Sequence, residues 1–223
     1  MKTFQYLLAA LFAWVDVTVD AQTVNWSRYT PENKHFIDLH GGTEFGMAFG
    51  IAAGTHFRIG NLPLQTYVDF SMPAGNTWLD DYKVRIGGKI RWFAVEHIQF
   101  STRFEAVFRR EKNDFVRLLN FGSDMSGILG YYRGPWFAAA EVGFDKAVVT
   151  HFKHEEAYKD QFPGVRDGWY LPPTGGNFYA GFQLGATIGK QDIYLRAGRI
   201  LVQDFKRSPL IPYYSQIGVN AKF

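Results

Sequence analysis

Charged residues recur at alternate positions along residues 82–109, YKVRIGGKIRWFAVEHIQFSTRFEAVFR. Lys83, Arg85, Lys89 and Arg91 share one parity, and Arg103, Glu105 and Arg109 take the same side of the segment that follows. Further along, Asp124, Glu141, Asp145, Asp192, Arg196 and Lys222 occupy equivalent positions, as does Asp69 upstream. Guanidinium, ammonium and carboxylate groups gathered on one surface support two kinds of chemistry. They can pair with one another in crossing ion pairs, or their basic members can bind and pass small anions. A second cluster, His151-Phe-Lys-His154-Glu155-Glu156, carries ring nitrogens and carboxylates of the kind that ligate metals. Its weak candidates are His151, His154 and Glu155. It lacks the H-E-x-x-H helical spacing that makes such a motif specific, and reads as a solvated loop without a metal. Ser101, Ser123, Ser126, Ser215 and His97 exist, but no spacing sets a nucleophile beside a base, so no catalytic residue and no cofactor is expected.

The elements that must position these groups are strands. In 82–92, Val84, Ile86, Ile90 and Trp92 oppose the charged set. After a turn at Ala94–Glu96, Ile98, Phe100, Phe104 and Phe108 oppose the polar one. A period of two places neighbouring side chains on opposite faces of a strand. The charged face is too rich in arginine for a dry soluble core without many partners.

Composition narrows the setting. Aromatic residues make up 17% of the 223 residues, high for a water-soluble domain and suited to aromatic belts. The absence of cysteine excludes disulfides, thiolate zinc sites and thiol catalysis. A formal charge of +3, with no basic run, argues against a nucleic-acid partner. Lys2, the apolar run Phe4–Val15 and Val19-Asp20-Ala21 before Gln22 form a cleavable export signal over residues 1–21. No other segment approaches the ~18–20 apolar residues of a helical span, and a chain that enters a membrane without helices must close a barrel.

Residues 22–34 read as a polar N-terminal tail in the periplasm, and residues 35–223 as the barrel. Strands are expected at His35–Gly42, Thr43–Arg58 and Leu64–Met72, in the 82–109 hairpin, and at Arg117–Tyr132, Trp136–Thr150, Asn177–Gly189, Asp192–Phe205 and Tyr213–Phe223. A bulge is expected near Gly198-Arg199, where the phase blurs. Turns at 60–63, 94–96, 133–135 and 190–191 are short. Connections at 73–81, 110–116, 151–176 and 206–212 are longer. Short turns on one rim and long loops on the other are a habit of outer-membrane barrels. Tyr82 and Trp92, ten positions apart on one face, bracket roughly 25 Å, the height of the apolar band between aromatic girdles.

With these strands, the export signal and the closing YYSQIGVNAKF, the chain resembles the small outer-membrane β-barrels of Gram-negative bacteria, with Ala21-Gln22 and its Tyr-, Phe- and Gly-rich strands similar to those of the Bacteroides group. The resemblance implies export to the outer membrane, outer-membrane lipid as surroundings, and recognition of the Phe223 strand by the barrel-assembly machinery. The expected fold is an all-β antiparallel transmembrane barrel of about ten strands, with eight as the alternative. Three functions follow in order. The first is a non-enzymatic structural or surface-binding barrel with its lumen filled by ion pairs, offering Trp169 and Tyr170 on the loop 151–176. The second is a narrow, porin-like pore for small anionic solutes. The third is a lipid-modifying hydrolase. No ligand is named by the sequence.

Overall fold

The computed structural model describes residues 23, 25–28, 33–43, 46–75, 79–172, 175–204, 209 and 211–223. The expected export signal at 1–21 lies outside them. Strands run β1 His35–Thr43, β2 Met47–Ile59, β3 Leu62–Pro73, β4 Tyr82–Val95, β5 Ile98–Lys112, β6 Val116–Arg133, β7 Trp136–His154, β8 Gly168–Tyr170, β9 Gly176–Ile188, β10 Gln191–Val202 and β11 Tyr213–Lys222. Every pairing is antiparallel; β1 pairs with both β2 and β11, and β6 with both β5 and β7, so ten strands close a ring. Ten strands, not eight, is therefore the count, with the weakly marked β1 as the closing member. The three-residue β8 lies outside the ring, on the distal end of β7.

Alternation puts polar and charged residues inside and apolar ones outside, the reverse of a soluble domain. Ile51, Val68, Ile86, Phe104, Met125, Leu129, Val142 and Ile217 all face outward with 48% to 62% of their surface exposed. Inside, Gln65, Asp69, Lys89, Arg103 and Glu141 are 2% exposed or less. A continuous apolar exterior of this extent is solvated by lipid rather than water. Two aromatic girdles bound it. On the long-loop side Phe70, Tyr82, Phe108, Phe121 and Trp169 form a chain of ring contacts 4.9–6.0 Å apart. On the short-turn side Tyr131 stacks on Trp136 at 5.3 Å, His97 meets Tyr131, and the Trp92 indole donates to Thr102 Oγ1 at 2.8 Å.

Several boundaries differ from the sequence reading. The segment 110–116 is not a loop: β5 continues to Lys112 and β6 begins at Val116, leaving a turn capped by Asn113, whose side chain accepts from the amides of Phe115 and Val116. Charge made this stretch look like loop, but strands leaving the membrane need no apolar face. The loop 151–176 likewise contains the end of β7, a short helix α1 at Glu156–Gln161, and β8. The turn after β4 is Glu96-His97, with Glu96 at a φ of 52°. No bulge occurs at Gly198-Arg199, where β10 keeps register with both neighbours. The register shifts instead between Arg91 and Phe93 and between Phe121 and Gly122.

Glycine makes the crowded interior possible. An added Cβ at Gly143 would lie 2.2 Å from the Tyr179 ring, and one at Gly218 2.4 Å from that of Tyr194. These two glycines each let a tyrosine lie flat across the neighbouring strand and reach into the lumen.

Candidate functional site

Among the described residues the buried polar groups converge in the lumen, which divides into three levels. At the short-turn end it is plugged. Residues 22–34 read as a polar tail, yet Thr23, Asn25 and Trp26 are 2% exposed or less. A single 3-10 turn at Trp26–Arg28 carries the indole into a cluster with Ile128, Tyr132, Phe137, Ala139 and Tyr194. Asn25 fixes this turn: its amide N–H donates to Asp192 at 3.1 Å, and its side-chain amide donates to Thr187 Oγ1 at 2.8 Å and to the carbonyls of Arg133 and Gly134. Asp192 in turn accepts from Lys222 at 2.8 Å and from Thr187 at 2.6 Å. Arg91 donates to the Trp26 carbonyl and to Gln99, and its guanidinium lies 5.8 Å from the Trp26 ring centroid.

The middle level is a dry layer borne on the strands. Glu141 accepts from Arg196 and Tyr214, both at 2.5 Å, and from Gln183 at 2.6 Å. Glu105 accepts from the Tyr67 hydroxyl at 2.6 Å and lies 3.6 Å from Arg103. Arg103 bonds Asp124 at 3.2 Å and the Tyr179 hydroxyl at 2.8 Å, while that hydroxyl donates to Asp124 at 2.7 Å. Arg85 donates to Asp69 at 2.9 Å. His40 joins the same layer, with Nδ1 against Asp38 and Nε2 3.4 Å from Asp69. Lys89, Gln65 and Gln183 fill the remaining space and are at most 2% exposed.

Above this layer, toward the long loops, lies a small recess of about 40 Å³, lined by Arg85, Arg103, Asp124, Asp145, Tyr179 and Arg196 among others. Arg109 holds Asp145 and Asn120 at its rim. Lys83 sits on the same inward face, in register with Ser71 and Arg109. Arg196 packs against the faces of Tyr179 and Tyr214, 5.6 and 5.0 Å from their centroids. The structure thus brings together Asp69, Arg85, Arg103, Glu105, Asp124, Glu141, Asp145 and Arg196, with Lys89 in their midst and Arg91 drawn away to the plug. Asp38, His40, Gln183 and the inward tyrosines were missed. Asp38 and His40, two apart, carried the signal, but a glycine-rich β1 hid its phase.

The remaining candidates lie elsewhere. His151 and His154 stand on β7 three positions apart, hence on opposite faces, and cannot share an ion. The His151 ring meets Trp169 at 4.8 Å, and His154 bonds Asp167. Glu155 is the N-cap of α1, though its side chain makes no capping bond. Among the described residues no cluster of three metal-ligating side chains occurs. His97 lies on the outer rim, whereas Ser101 and Ser126 point into the lumen. Trp169 extends the outer girdle, and Tyr170 packs on Phe152 at 5.2 Å with its hydroxyl on the Arg166 carbonyl. Phe223 exchanges backbone bonds with His35 at the seam.

No family model matches the chain, and no curated protein does. Two solved structures share its architecture at 10% sequence identity. One is the KdgM porin in complex with disordered oligogalacturonate, with a TM-score of 0.46 over 84% of this chain and 98% of that one. The other is the NanC porin in a rhombohedral crystal form, with a TM-score of 0.44 over 84% of this chain and 100% of that one. At this similarity the likeness is one of barrel architecture, and the oligogalacturonate belongs to the KdgM porin.

Proposed function

We propose that this chain is an outer-membrane barrel, closed at rest, that binds polar or anionic groups in a vestibule on its long-loop side. The observation that carries this reading is the dry middle layer: Lys89, Gln65, Gln183, Glu141 and Arg103 are each at most 2% exposed, and Trp26 seals the space below them. Ion passage needs a continuous aqueous path, and barrels of this strand number have little lumen left once side chains fill it. A buried network of paired charges also resists opening, because removing one partner strands the other. The vestibule offers Arg85, Arg109 and Arg196 beside tyrosine faces, donors suited to carboxylate or phosphate groups. The neighbouring rim adds exposed Trp169 and Tyr170.

A second reading, a narrow pore for small anionic solutes, draws on the same arginines and on the plug, which is a short peptide held by side chains rather than a strand of the wall. Planar-bilayer recording of the purified chain separates the two. The first reading expects no steady conductance. A steady, anion-selective current transfers the function to the pore.

A further inference from the structure

The outer wall is not uniform. On β7 the outward positions 138 and 140 are alanines, flanked in register by Tyr131 and Leu129 of β6 and by Leu184 and Phe182 of β9. With strands about 4.8 Å apart, the backbones of β6 and β9 stand roughly 10 Å from each other, and the two small residues leave a trough one strand wide between bulky walls. Trp136 stacked on Tyr131 closes its lower end at the girdle, and Phe144 against Phe178 at 4.5 Å closes it above. Ile98 completes its apolar lining. Just beyond the girdle, at headgroup depth, lie two guanidiniums. Arg133 has no ion pair among the described residues, and Arg28 spends one N–H on the Gly134 carbonyl at 2.8 Å. The flanking turns add His97 and Lys190 against the single carboxylate of Glu96.

We propose that this trough is a binding site for one anionic glycerophospholipid of the leaflet on the short-turn side. An acyl chain lies over Ala138 and Ala140, and the phosphate rests on Arg133 and Arg28. A groove that fits a chain, ending at unpaired cations, matches the two halves of such a lipid. A second barrel would fit less well, because its own girdle would set arginines against arginines about a shared axis. Arg28 links the site to the plug, since the same turn that carries Trp26 carries this guanidinium. The inference rests on the exterior facing lipid.

Native mass spectrometry of the full-length barrel, released from detergent with added dioleoylphosphatidylglycerol, tests it. The wild type should retain one lipid in preference to dioleoylphosphatidylcholine. The double variant Ala138→Leu/Ala140→Leu, which fills the trough, should lower retention about tenfold. Arg133→Gln with Arg28→Gln should keep a lipid but lose the headgroup preference. Undiminished retention by the filled-trough variant overturns the site, as does loss of a dimer mass instead of a lipid mass. Heat-modifiable migration and insertion into vesicles, read on every variant, report separately on the membrane assignment. If the wild type fails there, the lipid-facing reading fails with it.

Discussion

The two ends of the lumen are closed by different means. At the short-turn end the seal is a peptide: Trp26 enters an apolar cluster, held by Asn25 through three strand ends. In the middle and above, closure comes from charged side chains rooted on the strands, with Glu141 and Arg103 also bonding partners on strands that do not pair with their own. A peptide plug can leave without unfolding the wall. A strand-borne network cannot open without stranding a buried charge. The comparison therefore predicts that the upper layer governs stability and the plug governs access from one side.

The largest effect should follow Glu141→Ala. It removes the acceptor of Arg196, Tyr214 and Gln183 together and leaves a guanidinium buried, at a cost of about 3–5 kcal/mol. Denaturant unfolding in lipid vesicles measures it, and an effect no larger than that of the rim variant Asp145→Asn would erase the distinction between layer and rim. Next, the chain has no cysteine, so single thiols report access cleanly. Asn177→Cys in the recess should react readily with a charged thiol reagent and Gln65→Cys should not. Removing residues 22–28 should accelerate labelling of Thr187→Cys about tenfold or more, while Gln65→Cys stays protected. The tenfold figure corresponds to the loss of one to two hydrogen bonds that now hold the plug closed.

The smallest effect concerns the long-loop arm. The Lys159 ammonium, with help from the His154 backbone amide, holds the exposed Asp167 carboxyl well below the usual carboxylate range, and Asp167 raises Lys159 in return. Because the Asp167 value is depressed, its contribution is present above the ordinary carboxylate pKa and fades only as pH falls through the depressed value. The raised Lys159 value acts oppositely, with its contribution complete below the ordinary ammonium pKa and lost as pH rises through the elevated one. Protease sensitivity of α1 should therefore stay flat across the neutral range and rise at both extremes, and Lys159→Ala should flatten that profile with little effect on the barrel.

What the sequence made legible follows from period two. Wherever one face meets lipid and the other a filled lumen, alternation is strict, and the outward set Ile86, Phe104 and Leu129 and the inward set Arg85, Arg103 and Glu141 are readable directly. Legibility fails where that constraint lapses. Arg110–Lys112 lie above the membrane and need no apolar partner face, so a strand there looks like a charged loop. In β1, glycines at 41 and 42 carry no side chain to mark the phase, which hid Asp38 and His40. Trp26 sits in a polar stretch with no period at all. Its burial depends on Tyr132, Phe137 and Tyr194, more than 100 residues away, and only closure of the ring brings them to it.

Conductance of the barrel lacking residues 22–28 tests the central claim most directly, since it removes the peptide seal and leaves the strand-borne layer. Provided the truncated barrel still migrates as a folded, heat-modifiable species, no steady current should appear across planar bilayers, because the layer around Lys89, Glu141 and Gln183 still excludes water. A steady anion current after truncation would contradict the account and make the N-terminal turn the gate of an open pore.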